Sequence, residues 1–184
     1  EMCGNGIRCV AKYTYEHELA QAGGEFSVPG QRSFPVSLNI ETRNGILTVG
    51  LVIDDSDKVR KVCANMGQPI LSPEDIPVNL PGEKVVAQPI DILGEELLMT
   101  CVSMGNPHAV FFCDDVSSIE LKKVGFAIEN HSLFPNRINV HFVQIDKPTE
   151  FTMRTWERGS GITMACGTGA CAVCVESALN GRQS

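Results

Sequence analysis

A chain of 184 residues, 43% of them apolar, can bury a core as one large domain or two small lobes. Its net charge of −7, from 22 acidic against 15 basic residues without a basic run, argues against a nucleic-acid surface and points to a small ligand. No stretch reaches the roughly 18 consecutive apolar residues of a membrane-crossing helix, and the eight cysteines, with no secretory signal before them, read as reduced intracellular thiols rather than a disulfide framework.

In chain order, "EMCGNGIRC" leads into a run with Ile7, Val10, Ala11, Tyr15 and Leu19 at helical spacing, which predicts a helix over residues 6–21 stopped by Gly23-Gly24. The next segment, "VSLNIETRNGILTVGLVI", alternates Val36, Leu38 and Ile40 with Ser37, Asn39 and Glu41, turns at Asn44-Gly45 and resumes, the pattern of an antiparallel hairpin. The proline-rich "GQPILSPEDIPVNLPGEK" is expected to connect two lobes, 1–67 and 68–184, because its prolines resist helix interiors and central strands. Strand-like runs follow at 85–93, 97–104 and 109–113. A helix with a serine cap is expected in "SSIELKKVGFAIEN", with Ile119, Val124 and Ile128 at helical spacing, then strands at 138–146 and 150–156. The last element, "GTGACAVCVESALNG", predicts a helix of small apolar residues inside a core, ending at Asn180-Gly181.

The elbow before that last helix, in "MACGTGACA" (164–172), repeats the one that opens the chain. Cys3 and Cys166 are each followed by Gly-x-Gly and a helix, a long-period echo that suggests two similar lobes, each of strands around one helix. A cysteine at a helix mouth meets unpaired N–H groups and the positive end of the helix dipole, which favour the thiolate. The same N–H groups can hold a carboxylate. Two such elbows facing one cleft would supply one thiolate and one thiol, able to take a proton from one face of a carbon and return one to the other. That is racemase chemistry, with no cofactor and no metal expected, and it needs preorganised dipoles and exclusion of water to stabilise the carbanion. Either cysteine alone would be read as a small core residue; the doubled context favours chemistry. Cys9, Cys63, Cys101, Cys113, Cys171 and Cys174 lack that context and are expected in the core.

The segments "EMCGNGIRC" (1–9), "GNPHAV" (105–110), "FPNRINVHFVQ" (134–144) and "ERGSGITMACGTGACA" (157–172), in this order, resemble the diaminopimelate epimerase family. The resemblance implies an α+β, diaminopimelate epimerase-like fold of two pseudo-symmetric lobes, each a mostly antiparallel, barrel-like sheet around a central helix. It implies pyridoxal-phosphate-independent interconversion of LL- and meso-diaminopimelate in lysine biosynthesis, with Cys3 and Cys166 as alternating base and acid. It seats the reacting carboxylate on the backbone of Gly4 and Asn5 and of Gly167 and Thr168. Asn106, Asn139 and Arg158 would hold the distal end of the substrate, Arg gripping a carboxylate bidentately. His108 and Glu157 would bind the amino group and orient the reacting groups.

Members of the family begin roughly seventy residues earlier and run a few tens further, within the boundary error of sequence reading. With Glu1 set directly against a motif, the chain is expected to be a piece lacking outer strands of both lobes and weakly active or inactive alone, since an unsealed cleft admits water. The expected location is the cytoplasm, or a plastid if a transit peptide preceded residue 1. The expected partners are a small-molecule substrate and a second copy in a homodimer, with no nucleic acid and no membrane. The nearest alternative is a proline racemase-like enzyme. A cysteine phosphatase is disfavoured because its loop has five residues between Cys and Arg, where "CGNGIR" has four. A zinc module using Cys166, Cys171, Cys174 and one histidine, and a purely structural half, complete the alternatives.

Overall fold

A computed structural model describes residues 4–27, 33–42 and 45–181, and the chain divides into two compact units, Glu1–Gly67 and Gln68–Ser184. Two residues singled out from the sequence, Cys3 and the turn residue Asn44, lie outside the described residues.

In the first unit, α1 (Gly4–Glu16) begins at the Gly-x-Gly of the first elbow and buries Ile7 and Ala11, one turn apart. They pack against a three-stranded antiparallel sheet of β3 (Val36–Thr42), β4 (Gly45–Ile53) and β5 (Val59–Ala64), in the order β3-β4-β5, with Leu38, Val49, Leu51 and Val59 in the shared core. Two short strands, β1 (Phe26–Ser27) and β2 (Ser33–Phe34), pair beside it. The predicted hairpin is β3–β4, in register from Val36↔Leu51 to Thr42↔Gly45. The predicted run of helix to residue 21 stops at Glu16, whose carboxylate accepts bonds from Lys12 and from the Val59 N–H (2.9 Å), while Glu18 takes a left-handed φ of 52°. Val10 and Leu19, counted with the apolar stripe, are 49% and 64% exposed. Strand β5 was not foreseen, because "VRKVCA" has no clear alternation.

The second unit is built on a six-stranded sheet of β6 (Gln88–Ile92), β7 (Glu95–Ser103), β8 (Pro107–Phe112), β9 (Asn139–Lys147), β10 (Glu150–Glu157) and β11 (Gly161–Thr163). The order is β11-β10-β9-β8-β7-β6, antiparallel throughout except for β8–β9, which run parallel because α2 (Leu121–Glu129) is the crossover between them. Alternation along the strands separates two faces. Met99, Cys101, Ala109, Phe111, Val140 and Phe142 form one core with Leu121 and Ile128 of α2. Trp156 joins this core at Gly125, where an added Cβ would come within 2.8 Å of the indole Cγ. The opposite face carries α3 (Gly167–Leu179), packed over β7, β8 and β9.

Three expectations change on this scaffold. Ser117 and Ser118 do not cap α2; they sit in a 3-10 turn (Val116–Ser118) whose cap is Asp115, and α2 begins after Glu120 with no side-chain cap. The proline-rich segment, expected as a connection, also contributes to the second core, burying Ile76 and Val78 there. Helix α3 buries one face only, through Thr168, Gly169, Ala172, Val173, Glu176 and Ser177, and leaves Cys174 exposed. Among the other thiols assigned to the core, Cys101 is buried, Cys63, Cys113 and Cys171 are half-buried, and Cys9 is exposed.

Candidate active site

Strand register assembles the polar residues of the second unit on the α3 face. Parallel pairing sets His108 beside Asn139 and Val110 beside His141, and antiparallel pairing sets His141 beside Thr155. Residues two apart share a face, so His108 and Asn139 form one row across the sheet and His141 and Thr155 the next. Before β8, Gly105 takes φ 87° and turns Asn106 inward, where it is buried.

Above this face, Cys166 is the N-cap of α3, with extended backbone (φ −132°, ψ 107°) and a side chain that is 5% exposed. Its Sγ accepts the Gly169 N–H at 3.4 Å and lies 3.5 Å from Thr168 Oγ1. A helix-end N–H that would otherwise be orphaned is thus spent on sulfur, the electrostatic setting that favours a thiolate.

Asn106 Nδ2 donates to Thr168 Oγ1 (3.2 Å), and Asn106 Oδ1 lies 3.0 Å from His108 Nε2. His108 Nδ1 is 2.8 Å from His141 Nε2, and His141 Nδ1 is 3.0 Å from Thr155 Oγ1. Burial holds His141 at about 3, and His108 well below the usual imidazole range through burial, the neighbouring His141 and the charge of Arg158. Both rings are neutral at physiological pH.

Asn106, His108, Thr168 and Cys166, all assigned to the site from sequence, therefore stand in one hydrogen-bonded cluster, and Gly167 is the first residue of α3. Asn139 sits at the edge of the cluster with its amide engaged by the chain itself, donating to the Pro107 carbonyl (2.8 Å) and accepting the Arg158 N–H (3.1 Å). It ties β8 to the turn after β10. Glu157, the last residue of β10, accepts from Thr163 Oγ1 (2.6 Å), and Arg158, the first of the turn, donates from its guanidinium to the Asn136 carbonyl (2.8 Å). Buried Glu129 of α2 holds the same turn, accepting from Gly159 N–H (2.8 Å), Trp156 Nε1 (2.7 Å) and Arg137 (3.2 Å). In the first unit, Gly4 is buried and Asn5 Oδ1 accepts from Arg8 in the opening turn of α1.

His141, Thr155 and Glu129 were missed from the sequence. His141 had a signal: it lies two residues beyond Asn139, on the same face of one strand. Ligand-type atoms of His108, His141 and Cys166 all lie within 4.8 Å of one another, a grouping found among the described residues that does not include Cys171 or Cys174. All four ring nitrogens of the two histidines already sit in hydrogen bonds within the chain, so the group reads as a polar network.

Gly169 makes room for that network. A Cβ there would press on His141 Cε1 and come within 2.7 Å of its Nε2. Gly169→Ala is expected to lower stability by about 3 kcal/mol, because a buried, hydrogen-bonded ring must move. A urea-unfolding midpoint unchanged from wild type would contradict this.

The family model described as "Diaminopimelate epimerase" matches residues 100–184. A diaminopimelate epimerase of Desulfitobacterium hafniense is 46% identical over 99% of this chain, and one of Moorella thermoacetica is 47% identical over all of it. The chain spans 59% and 61% of the length of these two relatives. Among solved structures, a probable proline racemase from Agrobacterium radiobacter aligns over the whole chain and 54% of its own, with a TM-score of 0.70. A Bacillus anthracis phenazine biosynthesis protein of the PhzF family aligns over 96% of this chain and 57% of its own, with a TM-score of 0.57. Both are 15% identical to it and speak to fold alone. In architecture the chain has the α+β, diaminopimelate epimerase-like fold, and in sequence it resembles diaminopimelate epimerase from end to end.

Proposed function

We propose that this chain is the catalytic part of a cofactor-independent epimerase that converts LL-diaminopimelate to meso-diaminopimelate, a step of lysine biosynthesis. The observation that carries the reading is Cys166, a buried thiol capping α3, with the Gly169 N–H and the Thr168 hydroxyl at its sulfur. The names of relatives 46–47% identical to the chain support the substrate.

In this reading Cys166 exchanges a proton with the α-carbon from one side, and Cys3 does so from the other. As one sulfur takes the proton, the other delivers its own, and the configuration inverts. The developing negative charge spreads onto the α-carboxylate, which the helix-end N–H groups of Gly167 and Thr168, and of Gly4 and Asn5, stabilise. Arg158 supplies the cation for the distal carboxylate. Asn139 acts chiefly by fixing the Arg158 backbone, given its 3.1 Å bond to that N–H. His108 and Glu157 orient the reacting groups. The same resemblance carries a homodimer and a cytoplasmic location.

The test is deuterium incorporation at the α-carbon of LL-diaminopimelate and of L-proline in heavy water. It is made with this chain and with a version extended to the length of its relatives. Label in diaminopimelate, with inversion, is the expected result for the extended version, and little or none for this chain alone. Label in proline with diaminopimelate untouched would replace the reading by the proline racemase alternative.

A further inference from the structure

We propose that His141 is a positioning residue: through a one-way hydrogen-bond chain it fixes the tautomer of His108 and aims the Thr168 hydroxyl at the Cys166 sulfur. Its bearing on turnover rests on the reading of Cys166 as a reacting thiol; its direction does not.

The direction follows from counting donors and acceptors. A neutral imidazole has one N–H and one lone pair. Asn106 Oδ1 only accepts, so His108 Nε2 carries the hydrogen across their 3.0 Å contact. His108 Nδ1 is then a lone pair, and the donor 2.8 Å away must be His141 Nε2–H. His141 Nδ1 is in turn a lone pair and accepts the Thr155 hydroxyl at 3.0 Å. At the other end, the Asn106 amide donates to Thr168 Oγ1 at 3.2 Å, and the Thr168 hydroxyl can give its own hydrogen to a Cys166 thiolate 3.5 Å away, the direction we assign to this contact. Five hydrogen bonds run the same way, from Thr155 to sulfur, and bonds aligned in series polarise one another.

The opposite direction needs three changes together: both rings must switch tautomer, the Asn106 amide must turn over, and sulfur must donate its own hydrogen. The Asn106 orientation in the structure is the one that sends donors to sulfur. Removing His141 leaves a buried lone pair on His108 Nδ1 without its donor, and the His108 tautomer is then held from the Asn106 side alone.

The fold reserves the place of His141. It stands opposite Thr155 in the β9–β10 register, and Gly169 of the elbow is the gap into which its ring fits. The second glycine of "CGTG" thus makes room for this ring. Around the cluster, the charged and titratable groups are His108 on β8, His141 on β9, Glu157 and Arg158 at the end of β10, and, along α3 itself, Glu176 against Thr100 at the far end. Cys101 of β7 faces the other core, its thiol pushed up to about 12 by burial.

The experiment uses the purified protein, its histidines labelled with nitrogen-15, with His141→Leu and His141→Gln as variants. In the wild type, ring-nitrogen spectra at neutral pH are expected to show His108 and His141 both neutral with hydrogen on Nε2. Alkylation of Cys166, followed on its own peptide by mass spectrometry across pH, is expected to shift upward by about one pH unit in His141→Leu, a tenfold loss at fixed pH. The glutamine variant restores the wild-type profile, because its amide can donate to His108 and accept from Thr155. Where turnover is measured, kcat falls in the leucine variant with KM little changed. A His108 carrying its hydrogen on Nδ1, or a charged ring, overturns the proposal even if the leucine variant does not fold. So does a folded leucine variant with an unmoved alkylation profile. An intact tautomer pattern in a protein that does not turn over diaminopimelate would instead count against the proposed function.

Discussion

Cys166→Ser is expected to lower epimerisation by about a thousandfold while leaving the fold as stable as wild type or slightly more so. The two effects separate because Cys166 does two jobs at one position. As the N-cap of α3 it accepts the Gly169 N–H, and a serine oxygen is among the best acceptors for that bond. As a proton carrier it depends on a thiolate being accessible near neutral pH, which an alkoxide is not. Deuterium exchange at the α-carbon, read beside urea unfolding of the same sample, checks both halves. A serine variant with wild-type exchange would remove Cys166 from the chemistry; one that unfolds early would mean that the sulfur is needed for packing instead.

Between pH 7 and pH 5 the protein is expected to lose about 4 kcal/mol of stability from the histidine pair alone. His108 and His141 are buried and neutral when folded, His141 at about 3 and His108 well below the usual range, whereas both titrate near 6.5 once exposed. The unfolded chain therefore binds more protons throughout this window, so stability is complete above about 6.5 and falls with pH below it. The slope approaches about 1.4 kcal/mol per pH unit for each ring. Urea midpoints at several pH values give this slope, and His141→Gln, which removes one titrating group, is expected to flatten it. An equally steep slope in that variant would assign acid sensitivity to other groups.

How far the sequence could be read follows from the range of each signal. The hairpin β3–β4 was legible because alternation and a tight turn are local, and the final helix because its elbow and its Asn180-Gly181 end bracket it. Helix ends and faces were less legible. Helix α1 stops at Glu16 because Val59, on another strand, takes up its carboxylate, and Val10 and Leu19 are exposed despite their spacing. The serine cap failed because Asp115 takes the Ser117 N–H and holds both serines in a 3-10 turn of their own, so that α2 begins only after Glu120.

The site divides in the same way. From the sequence came the elbow cysteine with its glycines, read from neighbours close along the chain, and, only through the family resemblance, the polar residues of "GNPH" and "ERGSG". Only the tertiary structure joined Thr155, His141, His108, Asn106 and Thr168 to Cys166. That union depends on the parallel register of β8 with β9 and on α3 lying over one face of the sheet. Such placement is set by the burial of apolar faces distant from the site, and no short stretch of residues encodes it.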